Sequence, residues 1–202
     1  MQMLNFDRIY FIRHGETSWN AEGRMQGQQD VALNDVGHAQ AAAAGKTLRN
    51  VIGVDSAAIA ENFSFAASPL YRTRQTMEIV RAQLGLPSQP YDLDDRLKEI
   101  TFGQWEGLTW PQVQARYPVM AQERVADKWG FAPPNGESYA YVAERLRPWL
   151  KTLEGDCIVV SHGGVARVLM ALIGSVDTAL APNVDVWQGR VLVFQAGKCS
   201  WI

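Results

Sequence analysis

The chain has little cysteine, and neither sign of charge dominates it. Its 202 residues include only two cysteines, Cys157 and Cys199, which cannot staple a fold of this size and favour a reducing compartment. Lys and Arg total 19 and Asp and Glu total 21, for a net charge of −2, so composition indicates no nucleic acid as a partner. An anionic ligand would therefore have to be held by a local cluster of cations.

Long apolar runs and a leader-like segment are missing as well. Residues 165–174 form the most apolar stretch, but it contains Arg167 and is shorter than the roughly 18 residues that a membrane span requires. Asp7 and Arg8 interrupt the N-terminus before an apolar signal segment could develop. The sequence predicts a cytoplasmic protein, a monomer or homodimer, with no membrane partner.

Alternating β-rich and helix-like segments predict an α/β fold. We expect a three-layer sandwich, with a mostly parallel central sheet flanked by helices, in a single domain over residues 1–202. The predicted strands cover residues 8–13, 63–67, 91–95, 156–160 and 190–194. The predicted helices cover residues 36–48, 69–84, 137–153 and 165–173, with a short one opening at Thr109. Residues 117–136 contain three prolines and no clear period, which favours a loop or loosely helical lid within an insertion around 105–136.

Two of the predicted strands end in a histidine followed by glycine. His14 and Gly15 follow the apolar run that ends at Arg13, and His162 with Gly163 follows the strand over residues 156–160. Ligands of open α/β sheets bind beyond the carboxyl ends of the strands. The third histidine, His38, falls inside an Ala-rich helix and is expected at the surface. The other two predict a functional site at one edge of the sheet.

Arginines accompany these strand ends. Arg13 precedes His14 directly, and Arg72 lies at the predicted start of a helix that follows a strand. The planar guanidinium suits bidentate contact with a phosphate, and exposed N–H groups at a helix start favour anions too. Lone arginines more often form surface ion pairs, but two beside two histidines favour a phosphate site.

These motifs resemble the histidine phosphatase superfamily, the phosphoglycerate mutase-like proteins. Residues 13–20 read Arg-His-Gly-Glu-Thr-Ser-Trp-Asn, similar to the Arg-His-Gly-Glu-Thr-x-Trp-Asn motif of that family. The similarity continues, in the family's order, through further blocks at residues 23–27, 68–76, 97–107, 136–138 and 161–164. The resemblance implies a phosphoglycerate mutase-like fold and phosphoryl transfer through a phosphohistidine.

The resemblance also implies a role for each motif residue. His14 would be the nucleophile, and Arg13, Arg72 and His162 would stabilise the charge on the phosphoryl oxygens. Asn20 and the backbone N–H of Gly163 would add neutral donors.

The remaining family positions concern the substrate and the proton. Gln26 and Gly27 fall in a block expected to contact the substrate, and Glu99 matches the general acid and base. Glu106 and Glu16 are rivals for that role, although Glu16 is more plausible as a holder of an arginine or a backbone N–H. The sequence predicts no metal and no cofactor, because its three histidines are dispersed and no paired carboxylate motif is present.

A phosphatase is the favoured member of the family. The mutases of the family carry a longer stretch between the acid and the second histidine, and that stretch includes an adjacent pair of arginines. In this chain the stretch between Glu99 and His162 is shorter and contains no adjacent pair of arginines. The expected activity is metal-independent hydrolysis of a small phosphorylated metabolite, of the histidine acid phosphatase type. A cofactor-dependent phosphoglycerate mutase and a non-catalytic module that binds phosphorylated ligands remain the alternatives.

Overall fold

The computed structural model describes residues 5–202, and its strands form one mixed sheet. The strands are β1 (Arg8–Arg13), β2 (Phe63–Ala67), β3 (Asp92–Leu93), β4 (Asp156–Ser161), β5 (Val191–Gln195) and β6 (Lys198–Trp201). Their order across the sheet is β3-β2-β4-β1-β5-β6. The strands β3, β2, β4 and β1 are parallel neighbours. β5 pairs antiparallel with β1, and β6 pairs antiparallel with β5, so antiparallel pairing completes one edge of the mostly parallel sheet.

Helices cover both faces of this sheet, as the sequence predicts for a three-layer sandwich. They are α1 (Ser18–Ala21), α2 (Asp35–Ile52), α3 (Ser56–Asn62), α4 (Tyr71–Gln83), α5 (Trp110–Arg116), α6 (Pro118–Ala126), α7 (Tyr139–Leu150) and α8 (Gly163–Ile173). Successive side chains of a strand point to opposite faces. Ile9 and Phe11 of β1 therefore join the buried cluster that α7 and α8 complete, and Tyr10 and Ile12 join the one under α2 and α4.

The pairing of β1 with β4 positions the site. These neighbours are in parallel register, with Arg13 opposite Ser161, so the residues that follow both strands emerge side by side. The backbone N–H of His14 donates to the carbonyl of Ser161 at 2.9 Å, which extends the pairing one residue beyond the strand.

Residues 105–136 pack around a separate apolar cluster. Trp105 is fully buried there and stacks on Phe131, with a distance of 5.5 Å between ring centroids. Val113 and Ala121 complete the buried part of the cluster. Residues 118–126, predicted as loop or loose helix, form the regular helix α6, whose first residue is a proline, a favourable position for that residue.

The structure differs from the sequence predictions at three elements. The helix expected from residue 69 begins at Tyr71, because Ser68 still donates its N–H to Val160 and Leu70 stays extended. The sequence did not predict β6, which pairs antiparallel with β5 through a tight turn at Ala196 and Gly197. The predicted strand over residues 91–95 shrinks to the two residues of β3.

Candidate active site

Two imidazole rings meet where β1 and β4 end. The ring centroids of His14 and His162 lie 5.1 Å apart, and the side chains are 3% and 0% exposed. His38, by contrast, is exposed on α2, as predicted. The parallel register thus brings together two side chains that are 148 positions apart in the sequence.

The backbone selects one tautomer for His14. Its Nδ1 lies 2.7 Å from the carbonyl oxygen of Gly15, so Nδ1 carries the proton and Nε2 keeps its lone pair. Burial and the positive charges of Arg72 and Arg13 lower the pKa of His14 well below its ordinary value of 6.5. A neutral imidazole with an available Nε2 is the form that can act as a nucleophile.

Arg72 supplies a guanidinium directly at that nitrogen. Its Nε donates to Nε2 of His14 at 3.3 Å, while Nη1 and Nη2 donate to the carbonyls of Gln29 and Gly27 at 2.6 and 2.8 Å. Burial lowers the pKa of Arg72 only to about 10, so it stays charged at neutral pH. The two carbonyls fix the plane of the fork and direct the Nε–H at Nε2 of His14.

Arg13 is held by one backbone carbonyl. Its Nη1 donates to the carbonyl of Val186 at 2.7 Å, and its buried Nε has no partner. Burial lowers the pKa of Arg13, and the nearby Glu99 carboxylate opposes that effect. An unpartnered N–H of a charged group in a cavity is costly unless a ligand accepts from it.

His162 is held by Ser68. Its Nε2 lies 2.8 Å from the Ser68 hydroxyl, and its buried Nδ1 has no partner. The hydroxyl can donate to Nε2, which leaves the proton on Nδ1 as a free donor for an anion. Burial, followed by the charge of Arg72, lowers the pKa of His162 well below 6.5, so the ring is neutral.

The Glu99 carboxylate lies at the start of α8. Its Oε1 accepts from the backbone N–H groups of Ile100 and Gly164 at 2.9 and 3.0 Å. An acidic group is well placed near the positive end of a helix dipole. Arg145, a residue that the sequence did not single out, holds the Glu99 loop by donating to the carbonyls of Lys98 and Glu99 at 2.7 and 3.2 Å.

The predicted substrate contacts gather around one cavity of about 210 Å³. It is lined by Arg13, His14, Asn20, Gln26, Gly27, Arg72, Glu99 and Gly163, together with Gly23, Arg24, Met25, Phe102 and Arg167. His162 is absent from this lining, although its ring stands beside His14. The sequence did not predict Arg167, whose position in an otherwise apolar helix was the available signal.

Some of these side chains are committed to partners. The Oδ1 of Asn20 accepts from Thr17 and Gln188, which leaves its amide N–H groups for a ligand. Gln26 donates to the hydroxyl of Thr17, and Gly27 offers its carbonyl to Arg72. Gly163 begins α8, so its N–H has no acceptor within the helix.

The two rival glutamates hold loops together. Glu106 Oε1 accepts from the N–H of Gln28 at 3.1 Å and the hydroxyl of Thr101 at 2.7 Å, which ties together the loops on two sides of the cavity. Glu16 was expected to hold an arginine or a backbone N–H, but Oε1 accepts from the side-chain amide of Asn34 at 2.9 Å. Asn34 caps α2, so Glu16 supports that helix start.

Residues 5–202 contain neither a clustered metal site nor a membrane-spanning helix. No group of three or more His, Cys, Asp or Glu side chains within that range is placed to bind a metal ion. No helix in the same range has both the length and the apolar character needed to cross a bilayer.

Comparison with known proteins identifies the family. The family model described as histidine phosphatase superfamily (branch 1) matches residues 9–202. The chain belongs to this superfamily. A glucosyl-3-phosphoglycerate phosphatase from Mycolicibacterium vanbaalenii is 31% identical over 96% of this histidine phosphatase chain and 82% of its own length.

A mutase and a solved phosphatase structure are also similar to the chain. A 2,3-bisphosphoglycerate-dependent phosphoglycerate mutase from Methylobacterium is 28% identical over 93% of this chain and 90% of its own. The structure of a mycobacterial glucosyl-3-phosphoglycerate phosphatase in complex with VO3 matches with a TM-score of 0.79 and 28% identity, covering 97% of this chain and 96% of that one. The phosphoglycerate mutase-like fold of this histidine phosphatase is thereby confirmed.

Proposed function

We propose that the protein is a metal-independent phosphomonoester hydrolase that works through a phosphohistidine at His14. The observation that carries this proposal is the buried, neutral His14, whose Nδ1 is bound to a carbonyl and whose Nε2 accepts a hydrogen bond from Arg72 Nε. Arg13 Nε and His162 Nδ1 are donors without partners, available for phosphoryl oxygens. A binding module would need the cations but would have no use for a neutral nucleophile.

In the first step, Nε2 of His14 attacks phosphorus and the bond from phosphorus to the substrate oxygen breaks. A bound phosphoryl oxygen takes over the Nε–H of Arg72 from Nε2, which frees the lone pair. Arg13, Arg72, His162, the Asn20 amide and the Gly163 N–H then stabilise the oxygens as the phosphoryl group transfers. Glu99, in its protonated form, gives its proton to the leaving oxygen.

In the second step, water replaces His14. Glu99, now a carboxylate, takes a proton from the water, whose oxygen attacks phosphorus and returns Nε2 to its free form. The products are an alcohol and inorganic phosphate, and Glu99 ends protonated, as it began.

The test is to trap the intermediate. Brief mixing with a ³²P-labelled substrate and quenching in alkali should preserve an acid-labile label on the wild-type protein and none on His14→Ala. His38→Ala, a change at the exposed histidine, should label like the wild type. EDTA should have little effect on turnover of p-nitrophenyl phosphate, so strong EDTA inhibition reversed by magnesium or zinc would contradict the proposal.

A phosphoglycerate mutase is the second candidate, because a mutase is among the relatives over most of the chain. A mutase must keep water from the phosphoenzyme while the intermediate reorients. Rapid interconversion of 3- and 2-phosphoglycerate that depends on 2,3-bisphosphoglycerate, with little release of phosphate, would favour the mutase over the hydrolase.

We propose in addition that the protein works in the cytoplasm, as a monomer or homodimer, on a small phosphorylated metabolite rather than on nucleic acid or at a membrane. Two free cysteines, one of them buried, support a reducing compartment. Residues 105–136, with their own apolar cluster around Trp105, would serve as the lid over the substrate.

A further inference from the structure

The residues that precede β5 lie beside the residues that follow β1. The two strands pair antiparallel with Val191 opposite Ile12, so the chain that leads into β5 passes the point where β1 ends. Gln188 belongs to this segment and is half-buried. The topology therefore brings a glutamine side chain to His14, although the two residues lie 174 positions apart in the sequence.

Gln188 forms two hydrogen bonds there through a single nitrogen. Its Nε2 donates to the backbone carbonyl of His14 at 3.2 Å and to Oδ1 of Asn20 at 3.2 Å. A backbone carbonyl can only accept, so the carbonyl of His14 selects the orientation in which the Gln188 amide presents its nitrogen. Asn20 therefore meets a donor and turns its oxygen toward Gln188.

The orientation of Asn20 matters because the two ends of its amide have nearly the same shape but opposite hydrogen-bonding roles. Asn20 lines the catalytic cavity. With Oδ1 bound to Gln188 and to the backbone N–H of Thr17 at 3.2 Å, its NH2 group is left to donate to phosphoryl oxygens. In the reversed orientation, Oδ1 would face those oxygens and repel them. A donor that is oriented in advance stabilises the transition state without reorganisation.

We propose that Gln188 is a positioning residue, which sets the amide of Asn20 in the orientation that phosphoryl transfer requires. This inference rests on the proposed function, and it adds a residue that lies outside every motif block. The same segment also holds Arg13, whose Nη1 donates to the carbonyl of Val186 at 2.7 Å. Residues 186–188 therefore orient two of the groups that would contact the phosphoryl oxygens.

The experiment is a double-mutant cycle between Gln188 and Asn20. Gln188→Met keeps the length of the side chain and removes the donor. Because Thr17 still binds Oδ1, we expect kcat for p-nitrophenyl phosphate to fall by about three- to tenfold, the contribution of one hydrogen bond between neutral groups, with little change in KM. In the Asn20→Ala background, the same substitution should change kcat by less than about twofold, because no amide remains to be oriented.

A second variant separates orientation from packing. Gln188→Glu keeps the size and polarity of the side chain but presents an acceptor to both partners at neutral pH, so it should reverse the Asn20 amide and lower kcat further than Gln188→Met does. Gln195→Met, a matched change at an exposed glutamine at the far end of β5, should keep the kcat of the wild type. Denaturant unfolding of each variant reports whether it is folded.

Three results would overturn this inference: an unchanged kcat in Gln188→Met, an equal loss from that substitution in the wild-type and Asn20→Ala backgrounds, or a Gln188→Glu variant more active than Gln188→Met. The wild-type phosphoenzyme, trapped in parallel, would then still uphold the proposed function. No phosphoenzyme and no hydrolysis of p-nitrophenyl phosphate by the wild type would overturn both.

Discussion

Replacing Arg72 by lysine tests how far catalysis depends on a planar guanidinium. Arg72 has no exposed surface, and all three of its nitrogens have partners, in His14 and in the carbonyls of Gly27 and Gln29. Lysine keeps the positive charge, but its single nitrogen cannot bind both carbonyls and also direct an N–H at the phosphoryl group. The variant therefore separates charge from geometry.

The magnitude follows from the position of the donor. Loss of one preorganised donor in a site that excludes water lowers kcat by about 10²–10³-fold, or about 2.7–4 kcal/mol. We expect Arg72→Lys to lose about 100-fold or more in kcat/KM, mostly in kcat, because the contact forms fully in the transition state. The freed carbonyls of Gly27 and Gln29 should also lower the free energy of unfolding by about 1–3 kcal/mol.

Initial rates on p-nitrophenyl phosphate measure the loss in kcat/KM, and denaturant unfolding measures the loss in the free energy of unfolding. Arg74→Lys is the matched control, since the Arg74 guanidinium lies over the ring of Tyr71, with 5.5 Å from its carbon to the ring centroid, and does not line the cavity. If Arg74→Lys were as damaging as Arg72→Lys, or if Arg72→Lys retained nearly full kcat, the placement of the phosphate at Arg72 would be refuted.

Three further predictions concern acid, proton transfer and packing. Since the pKa values of His14 and His162 lie well below 6.5, the free energy of unfolding should be at its full value above pH 6.5 and fall below it, by up to about 1.4 kcal/mol per pH unit for each ring. Denaturant unfolding from pH 7.5 to 5 should show a reduced slope in His162→Gln but the full slope in His38→Gln, and equal slopes would contradict the burial argument. Glu99→Gln should slow hydrolysis of an alkyl phosphate far more than formation of the phosphoenzyme from p-nitrophenyl phosphate in burst kinetics, and equal losses would argue against a proton donor. Gly37→Ala should cost about 1–3 kcal/mol in thermal or denaturant unfolding, because its Cβ would lie 2.1 Å from the carbonyl oxygen of Glu16, and a neutral effect would contradict this packing.

Local sequence determined the strands that carry the histidines. The run over residues 8–13 has the length and composition of a buried strand, and β1 occupies the same residues. Parallel register then follows from the α/β pattern, so the meeting of His14 and His162 was predictable from residues alone. The motif blocks also predicted the membership of the family, because they follow one another along the chain in the family's order.

Other features depended on contacts that no local pattern encodes. The turn before β6 places Ala196 at a positive φ of 50°, which alanine rarely adopts, so the usual hairpin signal was missing from the sequence. The start of α4 shifted because Ser68 is drawn to Val160 and His162, both far along the chain.

Two cations outside the family motifs belong to the same class. Arg145 stands on α7 and Arg124 on α6, and neither has a neighbour in sequence that reveals its partner. Hydrophobic period and capping residues act over a few positions, and they determined the layers and the strand ends of this protein. Which partners such cations meet depends on how distant segments pack, and only the tertiary structure decided that.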